Sequence, residues 1–126
     1  MRKKAASAQK ALSTLEEILN EDFSLIVRDA AIQRFEYTFE TIWKATKVYL
    51  SEEEGIIANS PKAVFREALT SGLLSDKQVE TALKMTDDRN LTTHTYVEEV
   101  AQQIFEKLPK YYKLMKQLFE QIKETV

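Results

Sequence analysis

Apolar residues recur along this chain in steps of three and four, the spacing of one face of an α-helix. Ala5, Ala8, Leu12, Leu15 and Leu19 predict a first helix, and Asn20-Glu21-Asp22 supplies turn and N-cap chemistry after it. Ile32, Phe35, Phe39, Ile42, Thr46 and Tyr49 mark a long second helix. It should run from about Phe23 to Leu50 and end in the acidic, Gly-containing stretch Ser51 to Asn59. At 1.5 Å per residue such a helix spans roughly 40 Å.

Ser60-Pro61 is a start signal, with Ser as N-cap and Pro at the first helical position, where its missing N–H costs nothing. The short helix that follows should turn Val64, Phe65, Ala68 and Leu69 inward and stop at Gly72, a natural left-handed terminator. Ser75-Asp76-Lys77-Gln78 fits a capping box and opens a fourth helix that passes Leu83 and reaches about Leu91. Thr92, Thr93 and Thr95 weaken its end, because their hydroxyls compete for the backbone and β-branching stiffens χ1.

The last segment has the clearest pattern. Val97, Ala101, Ile104, Leu108, Tyr111, Met115, Leu118 and Ile122 alternate steps of four and three, the seam of an antiparallel bundle. Pro109 removes one backbone donor inside it, so a kink or split is expected near Lys107. The pattern predicts an all-α protein, an up-and-down bundle of four or five helices in one domain over residues 1–126.

Composition narrows the picture without changing it. Gly and Pro number two each, which favours long regular elements. With 44% hydrophobic and 30% charged residues, the chain is of the globular, soluble class. No run approaches the ~20 apolar residues of a membrane span. Met1-Arg2-Lys3-Lys4 continues without the apolar stretch of a signal peptide. The chain contains no cysteine, which excludes disulfides and thiolate metal sites and suits the cytoplasm. A net charge of −2 gives no chain-wide field that attracts nucleic acid, so any such contact must be local, or transient as in an enzyme.

Candidate chemistry concentrates in one stretch, Arg89-Asn90-Leu91-Thr92-Thr93-His94-Thr95-Tyr96, which holds the only histidine. If the fourth helix persists to Thr93, Asn90 and His94 share a face and Arg89 lies about 100° round it, within reach of that face. A planar cationic fork suits phosphate, an imidazole suits proton transfer, and an amide can orient either. Metal-free RNA cleavage needs such groups: a base for the 2′-hydroxyl, an acid for the leaving oxygen and a cation for the transition state. One imidazole does not easily serve as base and acid together, so two copies of His94 and Arg89 across a homodimer groove are the simplest arrangement. The plainer reading makes His94 a helix-end cap and pairs Arg89 with Asp87, Asp88 or Glu98. A metal site with one His and no Cys is weaker still.

Other residues read as packing or solvent surface. Phe35, Phe39 and Trp43 fit the core or a dimer face, and Tyr37 lies off that stripe. Glu36 and Glu40 are a possible carboxylate pair, although Glu40 with Lys44 is an ordinary i,i+4 contact. Lys107, Lys110, Lys113, Lys116 and Lys123, against Glu106, Glu120 and Glu124, make the last helix locally basic, a solvated face by default with an RNA-guiding or partner-docking strip as the alternative.

Three blocks, in order, resemble the HEPN superfamily in its nucleotidyltransferase substrate-binding branch. They are Ala31-Ile32-Gln33-Arg34-Phe35-Glu36-Tyr37-Thr38-Phe39-Glu40, then Phe65-Arg66-Glu67-Ala68-Leu69 with Gly72-Leu73, then Asp88-Arg89-Asn90 through His94-Thr95-Tyr96. Together they extend the likeness from about Ala8 to Ile122. The resemblance implies a dimerising helical bundle with Arg89 and His94 in a shared cleft, and a neighbour-encoded minimal nucleotidyltransferase as partner. It implies a metal-independent endoribonuclease toxin, without cofactor, that acts on RNA and is countered by the nucleotidyltransferase as antitoxin. Tyr96 matches the tyrosine that some of these partners adenylylate. The alternative is a non-catalytic subunit that binds nucleotide or substrate for the transferase.

Overall fold

Five α-helices and one 3-10 turn account for most of residues 2–126, which the structure, a computed structural model, describes. They are α1 (Lys3–Leu19), α2 (Leu25–Glu54), α3 (Pro61–Thr70), α4 (Asp76–Leu91) and α5 (Glu98–Ile122), with the 3-10 turn Thr92–His94 between the last two. The bundle is up-and-down. α2 is its axis and packs against all four other helices, while α5 closes the ring against α1 and α4. Among the described residues no helix is long and apolar enough to cross a membrane.

Side-chain chemistry sets the helix ends. Ser24, rather than Asn20 to Asp22, caps α2 and accepts from the Val27 amide at 3.0 Å. α2 runs one turn past the expected end, to Glu54, and stops at Gly55, whose φ of +66° turns the chain left-handed. Its 30 residues extend about 45 Å. Ser60 accepts from the Ala63 amide with Pro61 in the first turn, and Gly72 has a φ of +79° just beyond α3. Ser75 and Gln78 form the reciprocal capping box expected of α4.

The predicted faces form one core. Ala5, Ala8, Leu12 and Leu15 of α1 meet Ile32, Phe35, Phe39 and Ile42 of α2, and Ala101 through Ile122 of α5 cover them. The Phe35 ring stacks on Tyr111 at 5.8 Å and tilts against Phe39 at 6.2 Å, which welds α2 to α5. Two expected core positions lie at the rim instead, Leu69 at 36% exposure and Val97 at 41%. The helix α5 is not split at Pro109. Pro109 is exposed, so the missing donor falls on the solvent side while Leu108 and Tyr111 stay packed.

Candidate functional site

The motif stretch lies where α4 gives way to the 3-10 turn. Threonine hydroxyls take the carbonyls that a continued helix would have used. Thr92 Oγ1 donates to the Arg89 carbonyl at 2.7 Å, Thr93 to that of Asn90 at 3.4 Å and Thr95 to that of Thr92 at 3.3 Å. This local competition ends α4 at Leu91, two residues before the point at which Asn90 and His94 would share an α-helical face. Asn90 is exposed, and among the described residues its side chain makes no hydrogen bond to Arg89 or His94.

Arg89 points at α2. Its guanidinium lies 3.6 Å from Glu36 and 3.7 Å from Glu40, carboxylates one turn apart on that helix, and donates to Thr92 Oγ1 at 3.1 Å. Its Nε is buried with no hydrogen-bond partner among the described residues. Glu40 is shared further, since it accepts from Trp43 Nε1 at 3.2 Å and pairs with Lys44 at 3.5 Å. Beside this cluster an open depression of about 300 Å³ is lined by Gln33, Glu36, Tyr37, Glu40 and Arg89. Tyr37 is part-exposed and hydrogen-bonds Thr14 at 2.7 Å.

His94 is exposed. Its Nδ1 lies 3.2 Å from the Tyr96 hydroxyl, and the two rings meet edge-on at 5.8 Å. Tyr96 is 78% exposed, so its hydroxyl is open to reagents as well as to the imidazole. No hydrogen bond or ion pair among the described residues joins Arg89 to His94 within one chain. Around them lies unusual apolar exposure, with Leu91, Tyr96 and Val97 on one side and Phe23, Leu25 and Ile26 at the start of α2. The pair Arg28–Glu98 at 2.8 Å brings the starts of α2 and α5 together.

The acids near the motif have other partners. Asp87 pairs with Lys62 at 2.7 Å. Asp88 is buried, accepts a hydrogen bond from the Tyr111 hydroxyl, and pairs with Lys107 at 3.1 Å. Burial first, and the Asp88 carboxylate second, push the Tyr111 phenol well above its ordinary pKa. Asp88 thus fastens the residue before Arg89 onto α5. Glu98 belongs to Arg28, which is 3% exposed and also pairs with Asp29 at 3.1 Å.

Sequence reasoning did not find these anchors, although a signal was present. Arg28 falls on the stripe of Ala31, Ile32 and Phe35, and Asp88 on that of Ala82 and Met85. A charge on a buried stripe requires a partner.

Fold and motif together define a helical bundle that presents R-x-x-x-x-H-x-Y where a helix breaks. The profile of the family described as "Nucleotidyltransferase substrate binding protein like" matches residues 3–124. The chain belongs to that family, the nucleotidyltransferase substrate-binding branch of the HEPN superfamily. It is 33% identical over 98 residues to the probable ribonuclease HepT of Haemophilus influenzae, a match that covers 75% of this chain and 66% of that protein. A crystal structure of a Thermus thermophilus protein is similar at 53% identity with a TM-score of 0.88, over 91% of this chain and 98% of that one. A Haemophilus influenzae structure, described as the fold of a substrate-binding domain of a nucleotidyltransferase, shares the fold at 24% identity with a TM-score of 0.78, over 94% of this chain and 98% of that one.

Proposed function

We propose that this protein is a HEPN-type, metal-independent endoribonuclease whose active site is completed by a second copy of the chain. The observation that carries this reading is the exposed His94 imidazole just beyond α4, which among the described residues hydrogen-bonds Tyr96 and shares no hydrogen bond with Arg89. One chain offers one imidazole, whereas cleavage needs a base and an acid. In a homodimer, His94 of one chain would take the 2′-hydroxyl proton. The freed oxygen would attack the adjacent phosphorus, forming a 2′,3′-cyclic phosphate as the bond to the 5′-oxygen breaks. The second His94 would protonate that oxygen, while Arg89 stabilises the charge on the phosphoryl oxygens. The exposed apolar residues Leu91, Val97, Phe23 and Ile26 beside the motif support such a dimer.

The biological role proposed is that of a cytoplasmic toxin in a two-gene module, with a minimal nucleotidyltransferase as its antitoxin. The ribonuclease name of the Haemophilus relative supports the activity. The open Tyr96 hydroxyl, 3.2 Å from His94, supports control by adenylylation. An AMP there would add bulk and negative charge beside the imidazole and oppose RNA phosphates. A second reading, a non-catalytic binding subunit of a nucleotidyltransferase, is favoured by the family description.

Expression of wild type against His94→Ala, scored for growth arrest and RNA decay, tests the proposal. The purified protein should cut RNA in EDTA and lose that activity in both His94→Ala and Arg89→Ala without unfolding. Equal outcomes for wild type and His94→Ala would overturn the nuclease reading. Tight nucleotide or transferase binding without cleavage would establish the second.

A further inference from the structure

The depression beside Arg89 sets two carboxylates against one guanidinium, a formal charge of +1 − 2 = −1. The whole chain carries −2. Neither draws in a polyanion. A cationic surface of five lysines lies on the other side of α4, in the groove between α4 and α5. Two adjoining cavities of about 290 and 500 Å³ share Thr81 and Lys110 and make that groove continuous.

Lys77 and Lys84 of α4 and Lys107, Lys110 and Lys113 of α5 line it, against Asp87 and Asp88, a local balance of +5 − 2 = +3. Its charges are unevenly satisfied. Lys107 serves Asp88, Lys84 serves Glu80, and Asp87 is taken by Lys62. Lys77, Lys110 and Lys113 make no ion pair among the described residues. Gln78 and Gln117 bridge the walls at 3.0 Å near one end. From Lys77 to Asp88 the helix rises about 16 Å. The groove ends at Asp88, the residue before Arg89.

We propose that this groove is a track for the phosphodiester backbone of an RNA strand and leads it to Arg89 and His94. The inference rests on the ribonuclease reading for what happens at the end of the track. Unpaired ammonium groups on flexible stems meet phosphates at variable spacing without selecting a base. The one aromatic ring in the groove, Tyr111, is 2% exposed and offers no face for base stacking. The track therefore holds sugar-phosphate and leaves sequence choice to the site.

Binding of a labelled single-stranded RNA of mixed sequence, followed by anisotropy over a series of salt concentrations, tests this. The parent is the His94→Ala protein, so the probe is not consumed. Replacing Lys77, Lys110 and Lys113 by Ala should lower affinity on the order of tenfold and reduce the salt slope by about 2, since each phosphate contact contributes roughly 0.7. Replacing Lys3, Lys4 and Lys10 by Ala removes the same charge from α1 and should leave the slope unchanged. All six lysines are exposed, and a thermal melt confirms that both variants fold. Equal affinity and slope in parent and groove variant would overturn the track, as would an equal loss in the α1 variant. Wild type that binds through the groove and cuts nothing would remove the nuclease reading and keep the track.

Discussion

Glu36 and Arg89 face each other at 3.6 Å between α2 and α4, although 53 positions separate them in sequence (89 − 36). Glu40 repeats the contact at 3.7 Å. Both carboxylates are about one-third exposed, so solvent screens the pairs and their worth to stability is modest. Arg89→Ala should therefore shift the free energy of urea unfolding by no more than about 1 kcal/mol. A drop several times larger would show that the guanidinium holds the fold together, and the loss of activity expected in this variant would then say nothing about chemistry.

Asp88 carries more. Asp88→Ala leaves the buried Tyr111 hydroxyl without an acceptor, at a cost of about 1–3 kcal/mol. Tyr111→Phe leaves the carboxylate with Lys107 and should cost about 1 kcal/mol. Urea denaturation should rank the two variants in that order, and the reverse order would put the stabilisation in the phenol ring's surroundings.

Stability should depend on pH through Arg28 and Glu98. The side-chain hydrogen bond from Arg28, and then its charge, hold the Glu98 carboxyl below its ordinary 4.5. A lowered folded-state value means the contribution is complete above pH 4.5 and disappears as pH falls through that lower value. Glu98→Gln should be less stable than wild type at neutral pH, with the gap closing in acid. Parallel acid-unfolding curves for the two proteins would sink the assignment.

Helix caps offer a check on the local reading. Ser60→Ala and Ser75→Ala each remove a side-chain acceptor for a first-turn amide and should cost about 1 kcal/mol. Thermal denaturation reads both. Ser→Gly at either position should lose only a few tenths of a kcal/mol.

The helices are legible because one period governs them. The stripes from Ala5 to Leu15 and from Ala101 to Ile122 give α1 and α5 directly, and Ser60, Ser75 and Gln78 give two starts. Periodicity reports the centre of a buried face but not its width, so Leu69 and Val97, inward by their spacing, lie at the rim. Pro109 signals a break that does not occur, because its position on the exposed face is a property of the packed bundle. The motif from Arg89 to Tyr96 is visible as a run of chemically suited groups. Its electrostatics are not. Asp87, Asp88 and Glu98 are the acids near Arg89 in sequence, yet its partners come from a helix about fifty residues earlier. Only tertiary placement decides which carboxylate a long cationic side chain reaches.

The stretch that carries His94 and Tyr96 is moored at both ends. Thr92 is tied back to Arg89, and Glu98 is tied to the buried Arg28. Between these moorings run only five residues, Thr93 to Val97. A backbone so short and so fastened keeps Tyr96 two positions from His94, whichever rotamer the exposed ring adopts. Whatever is attached to the Tyr96 hydroxyl is thereby confined to the neighbourhood of the imidazole.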